Sequence, residues 1–171
     1  QTCLLPTFEN IVGVTFWVWI ESQQPDTETA GVLIDTRSGT VDGYMSESSV
    51  GLTYVNGRMY LDGFIMPGLS FAQLQKRRWL HLHFEAMVPF TDDINLMSRS
   101  SVTNVADALK GRLAEVWVWG ALMDPTQVKV MANGFNLIAP PDTAHAFYMM
   151  EEGEGELLDD FLLRASPGML M

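Results

Sequence analysis

The sequence predicts an all-β protein, an antiparallel two-sheet jelly-roll sandwich carrying one short helix near residues 125–132. Three observations predict it. Short stretches alternating between apolar and polar residues recur along the chain of 171 residues, the period of a strand whose side chains point to opposite faces. Gly, Pro and Asn punctuate the gaps between those stretches. Only one place carries a full set of helix-start signals. There Asp124 is an N-cap, Pro125 suits the first helical position, Gln127 completes a capping box, and Asn133-Gly134 provide the stop. Many short strands with close punctuation indicate a sandwich, and long alternating strands favour jelly-roll sheets over a small barrel.

Residues 1–10 read as a lead-in, with Pro6 out of place in a central strand. Residues 14–20 form the clearest strand. Phe16, Val18 and Ile20 lie on one face and Trp17 and Trp19 on the other, and both faces are apolar enough for a strand covered on two sides. Residues 21–29 are polar, contain Pro25 and form a loop. Residues 31–35 are a short strand, and 36–49 a loop with a weak strand around Tyr44. Asn56-Gly57 between the runs 51–55 and 58–62 is the preferred two-residue hairpin turn. A connector with Pro67 and Gly68 leads to a strand over 79–85. A further strand follows at 94–98, and 100–110 bridges irregularly to the next. The strand over 111–119 places Leu113, Glu115, Trp117 and Trp119 on one face and Ala114, Val116 and Val118 on the other. After the helix, a last strand covers 144–150.

Composition narrows the function classes. Apolar residues make up 47% of the chain, enough for a globular core, and its length fits one domain, residues 1–171. The net charge of −11 opposes a nucleic-acid partner, which needs clustered Lys and Arg. From Asp142 to the end there are seven carboxylates against one Arg, so −6 of the −11 lies there. Cys3 is the single cysteine, so the chain forms no internal disulfide. No apolar run reaches the roughly 18 residues of a membrane span. The chain begins at Gln1 and reads as a processed product or an excised piece.

The stretch from Gly111 through Arg112, Leu113, Ala114, Glu115, Val116 and Trp117 to Val128 resembles the late strand and helix of laminin-G-like domains, of the concanavalin A-like lectin/glucanase superfamily. Residues 14–20 and the Trp79-Leu80-His81-Leu82-His83 strand resemble two more of that family's strands. Residues 146–155, with Asp160 and the Gly168-Met169-Leu170 triplet, resemble a segment that commonly opens such a domain. Here it comes last. Either 142–171 is an acidic closing strand and tail or it begins a following repeat, and closure is the preferred reading because the termini of compact domains are often neighbours. Three departures stand out. Ala114 replaces the family's Asp, a strand and hairpin are missing or collapsed into 85–96, and the Ser-Gly-Asn run after Asp160 is replaced by Phe161 to Arg164.

The resemblance implies a calcium site at Asp160, with Asp92, Asp93 and Glu115 as further oxygen donors, although the departure after Asp160 weakens it. His81 and His83 share a strand face and with His145 have the makings of a metal site; half-buried histidines bonded to backbone are the preferred reading. Glu152, Glu154 and Glu156 have the spacing of strand carboxylates but alternate with glycines, which describes a turn rather than a glycosidase pair. Trp17, Trp19, Trp117 and Trp119 suit either sugar stacking or a core, with the core preferred. Trp117 stands where the family usually carries Arg, which makes it the candidate outward-facing ligand contact. The expectation is a non-catalytic recognition or adhesion module, not an enzyme. It would bind a glycan or protein ligand within a larger extracellular or cell-surface protein, with calcium as its one candidate cofactor. The alternative is a structural assembly domain that packs against neighbouring proteins without a glycan.

Overall fold

The computed structural model describes residues 3–21, 31–36, 44–46, 57–98, 109–134, 142–149, 157–158, 162 and 168–170. Among these residues the protein is mostly antiparallel β with a single short α-helix. Two long strands form its spine, β1 (Cys3–Ile20) and β6 (Trp79–Leu96), paired antiparallel from Cys3↔Leu96 to Trp19↔Trp79.

Each end of the spine recruits its own flanking strands. At the Cys3/Leu96 end, β2 (Val32–Asp35) adds to β6 and β3 (Tyr44–Ser46) adds to β2. On the other side of that end, β10 (Gly168–Leu170) pairs with Cys3 and Leu4 of β1, and β9 (Leu157–Leu158) pairs with β10. At the Trp19/Trp79 end, β4 (Gly57–Leu61) joins β6, and the two-residue strand β5 (Phe64–Ile65) joins β4. There β7 (Gly111–Trp119) lines the other side of β1, and β8 (Ala144–Tyr148) lines β7.

The spine strands run on where the sequence suggested breaks. Pro6 lies within β1, at a register irregularity between Leu5 and Thr7, where its missing N–H leaves no ladder bond unmade. Likewise 79–85 and 94–98 are not separate strands. β6 runs through Pro89, which sits between the Glu85 and Phe90 pairings where the register shifts. Gly57 pairs with Ala86 as the first residue of β4, and 51–56 lie outside the described residues. The hairpin turn that the structure shows is Asp62-Gly63, between the Leu61↔Phe64 pair. Both residues have positive φ (51° and 80°), as a type I′ turn requires. A Cβ on Gly63 would also meet the Lys129 backbone at 2.8 Å, so the turn can lie against the helix only as glycine.

One apolar cluster runs along the sheet from Leu5, Ile34, Ile94 and Leu96 to Phe16, Val18, Leu82, Phe84, Val116 and Val118. A second lies on the opposite face, where α1 (Pro125–Ala132) sets Val128 and Met131 against Tyr60, Trp117, Trp119 and Phe147. α1 has the expected caps. The Asp124 side chain accepts from Thr126 N–H, and the Gln127 side chain reaches back to Asp124 N–H.

The expected faces of β7 are corrected in part. Glu115 has φ 50°, and the pairing passes from Thr15↔Trp117 to Trp17↔Ala114, so β7 carries one residue more than β1 at a bulge. The bulge resets the alternation. Leu113 therefore joins Val116 and Val118 in the first cluster, while Arg112 and Ala114 share the face of Trp117 and Trp119.

Candidate functional site

The helix-bearing face has four rungs across β7, β1, β6 and β4, because residues paired across a sheet share a face. The outermost rung is Arg112, Trp19 and Trp79, and the next is Ala114, Trp17 and His81 with Asp62 beside it. Then come Trp117, Thr15, His83 and Tyr60, and last Trp119, Gly13, Glu85 and Arg58. α1 and β8 close the inner two rungs. On the outer two, His81 is fully buried and Trp17 and Trp19 are partly buried, whereas Arg112 and Trp79 are exposed.

The inner rungs hold a continuous polar chain. Trp119 Nε1–H donates to Thr15 Oγ1 at 2.8 Å, and Thr15 Oγ1 lies 2.6 Å from His83 Nδ1. Thr15 accepts from the indole, and its own proton goes to a bare Nδ1 when the ring proton sits on His83 Nε2, the nitrogen beside the acceptor-only Glu85 carboxylate. That nitrogen lies 3.2 Å from Glu85 Oε1, close to the carboxylate but not aligned as a hydrogen bond. Glu85 Oε1 also accepts from Met123 N–H at 3.0 Å, and Oε2 accepts from Arg58 Nε at 2.8 Å. The carboxylate therefore ties β6, β4 and the approach to α1 together.

Charge follows from these contacts. Burial pulls His83 below the ordinary histidine range, although Glu85 opposes the shift. Burial works to raise Glu85, but His83, Met123 N–H and Arg58 outweigh it and hold the carboxyl below the usual range. The state that fits is neutral His83 beside ionised Glu85 and Arg58. Burial also takes His81 down to about 4, with His83 adding to the effect. Both His81 ring nitrogens are buried with no hydrogen-bond partner, and the ring meets Trp17 edge-on at 5.1 Å.

Thr15, His83 and Glu85 have the order of a hydroxyl nucleophile, a base and an orienting acid. Their burial argues against that use. Thr15 is 1% exposed and His83 0%, so a substrate has no route to the hydroxyl while α1 is in place.

The residues expected to carry a site are scattered. Trp117 does not face outward. It is buried, stacked on Phe147 at 3.9 Å and on Trp119 at 5.1 Å, because the β7 bulge and its pairing with Thr15 set it under the cover. Asp92 and Asp93 pair with Phe8 and Thr7, whereas Glu115 sits at the bulge opposite the Thr15–Trp17 stretch, so β1 separates them along its length. Asp160 and the carboxylates Glu152, Glu154 and Glu156 lie outside the described residues. His145 does not join His81 and His83. It stacks on Phe8, with Nε2 3.3 Å from Asn10 O. Among the described residues no group of three or more His, Cys, Asp and Glu side chains is placed to hold a metal ion, and no helix is long and apolar enough to cross a membrane.

The residues that sequence reasoning passed over are Thr15, Arg58, Glu85 and Trp79. The alternation of Trp79, His81, His83 and Glu85 on one strand face was a readable signal. Their partners on β1 and β4 were not, since pairing register is not written in either strand alone. Comparison of the chain with protein-family models, with curated proteins and with solved structures gives no match.

Proposed function

We propose that this chain is a non-catalytic recognition module of laminin-G-like, concanavalin A-like sandwich type that binds a glycan on the open end of its helix-bearing face. One observation carries the reading. Trp17 and Trp19 are only partly buried and Trp79 is 38% exposed, so three indoles from two strands share one face beyond the helix cover. Trp19 and Trp79 meet edge-on at 6.1 Å. Aromatic walls with polar groups at their rim suit a pyranose, which has one apolar face and a ring of hydroxyls. The burial of the Thr15–His83–Glu85 chain supports a structural role for the polar groups beneath. A place in an extracellular or cell-surface protein belongs to the same proposal.

The test is a glycan array probed with the wild-type protein and with Trp79→Ala, once in calcium and once in chelator. Saturable binding lost in Trp79→Ala supports the reading, and binding that also needs calcium brings the Asp92–Asp93 and Asp160 carboxylates back into it. The absence of binding on the whole array refutes it. The exposed pairs Phe64–Ile65 and Met87–Val88 favour a second reading, an assembly domain that contacts neighbouring proteins. Concentration-dependent self-association that sugars do not compete would support that alternative.

A further inference from the structure

α1 has eight residues, of which only Val128 and Met131 are buried, and a helix this short does not hold its shape alone in water. Its order depends on the face beneath it. Val128 and Met131 pack with Tyr60, Trp117, Trp119 and Phe147, and the Gly63 turn lies against Lys129. The chain entering the helix is tied down by Met123 N–H, which donates to Glu85 Oε1 at 3.0 Å. The first apolar cluster lies on the opposite face of the sheet, so α1 can leave without opening it.

The polar chain under the helix suits a neutral His83. Protons then run one way, from Trp119 Nε1–H to Thr15 Oγ1 and from the Thr15 hydroxyl to His83 Nδ1. A second ring proton would sit on Nδ1 and point at Thr15 Oγ1, 2.6 Å away. Thr15 would then receive two donors, and its own proton would lose its acceptor at a site 1% exposed. At Nε2, a charged ring would draw on Glu85 Oε1, the oxygen that holds Met123 N–H.

The groups facing His83 come from every element around it. Its own strand presents His81 and Glu85, and β4 presents Tyr60, ring to ring at 5.4 Å, and Arg58, which pairs with Glu85. β1 presents Thr15 and Gly13, and among the described residues β7 and β8 present Trp117, Trp119 and Phe147. The approach to α1 presents Met123, followed by the exposed cap Asp124. Arg58 stays charged. Burial and Glu85 shift Tyr60 upward, while Glu85 and Asp124 are both held below the usual carboxylate range.

We propose that α1 is an acid-released cover: a proton on His83 detaches the helix from Glu85 and opens the Trp117–Trp119 face while the paired strands hold. This goes beyond the glycan reading and does not depend on it. Neutral His83 belongs to the docked form, so docking is full above about pH 6.5 and weakens as pH falls. Burial pulls His83 below the ordinary range in the docked form, the direction this requires. Release adds Trp117, Trp119 and Phe147 to the partly open Trp17 and Trp19, so pH sets how much aromatic surface the face shows.

The experiment is amide hydrogen exchange on the intact protein at about pH 7 and pH 5, corrected for the exchange rate of free peptide. Helix amides from Val128 to Asn133 should open more often than amides of the β1–β6 pairing at both values. Their opening constant should rise about 10- to 25-fold on acidification, as expected for one ring that charges only when released. Trp119 Nε1–H should rise with them. His83→Gln, which does not titrate, should abolish the rise, and His81→Leu should leave it in place. Helix and strand amides that share one opening constant at pH 5 would mean global unfolding and overturn the proposal. So would a helix response without Trp119 Nε1–H, which is fraying, or a response that survives His83→Gln. If that variant does not fold, the wild-type ring settles the matter by NMR: a proton on Nδ1, or a charged ring in the docked form at pH 5, overturns it.

Discussion

Trp17-Val18-Trp19 and Trp117-Val118-Trp119 are the same pattern on neighbouring antiparallel strands, yet they have different fates. Both put their indoles on the helix-bearing face. The β7 pair lies opposite Thr15 and Gly13, two rungs deeper than the β1 pair, which lies opposite Ala114 and Arg112. Val128 and Met131 of α1 and Phe147 of β8 pack in one cluster with the indoles of the deeper rungs. Trp119 is therefore fully buried and bonded to Thr15, and Trp117 is stacked on Phe147, while Trp17 and Trp19 keep partly open surfaces. Alternation decides the face of a residue, and register decides its depth.

The largest expected effect tests that depth directly. Trp119→Ala removes a fully buried ring and leaves Thr15 without its donor, so it should cost about 3–5 kcal/mol. Trp19→Ala, at a partly open site, should cost about 1–2 kcal/mol, in line with the smaller area lost. Urea unfolding of both variants measures the gap. Equal losses would mean that the two pairs do not differ in depth.

Next comes the carboxylate beneath the cover. Glu85→Ala strands Met123 N–H and the Arg58 guanidinium, and removing one partner of a buried pair costs more than the pair contributes. Arg58 can turn to water, since its side chain is 34% exposed, so the expected loss is about 2–3 kcal/mol. The same variant should loosen the Met123–Asp124 approach to α1, seen as faster amide exchange in the helix. Unchanged exchange there would separate Glu85 from the positioning of α1.

The histidines give the comparison a pH axis. His81 is depressed to about 4 in the folded protein, while an unfolded histidine titrates near 6.5. Between those values the unfolded chain binds more protons, so stability is full above about pH 6.5 and falls as pH drops toward 4. The loss should be on the order of 3 kcal/mol, and His83, also depressed, acts in the same direction. Glu85, held low, adds a further loss only below the ordinary carboxylate range. His81→Leu removes the two unpartnered ring nitrogens and should flatten the slope between pH 6.5 and 4, so that the variant outlasts wild type at pH 5. Parallel melting curves for the two proteins across that range would rule out His81 as the source.

Sequence reading recovered the helix to the residue, since its caps are local chemistry: Asp124, Pro125 and Gln127 act within one turn. It also found β7, β8 and the apolar run 14–20. It misjudged the extent of both spine strands, because Pro6 and Pro89 ordinarily mark breaks and here coincide with register shifts that excuse them. The face of Leu113 was missed for the same kind of reason, since a bulge at Glu115 leaves no mark in composition. The site was less legible than the fold. Trp117 was singled out for exposure, but its depth is set by Phe147 and α1, which are distant in sequence. Arg77 and Arg112 come from the approaches to β6 and β7, and their contacts with Ile20 and Trp19 at the end of β1 are distant in sequence.

The smallest effect on stability should accompany the largest effect on binding, and it falls on Trp79. This indole opens β6 at the outermost rung and touches Trp19 edge-on, so Trp79→Ala should change unfolding by about 0.5 kcal/mol or less, as surface substitutions usually do. If the open end is a binding surface, the same variant should lose tenfold or more in ligand affinity, since a stacked ring contributes about 1–3 kcal/mol. Trp119→Ala inverts the pattern, with its loss in folding and its binding defect following only from the unfolded fraction. Measuring both quantities on both variants gives a crossed table in which each tryptophan has one large and one small entry. A Trp79→Ala protein that folds and binds as well as wild type would show that exposure of these indoles is incidental, and the surface function would then move to Phe64–Ile65 or Met87–Val88.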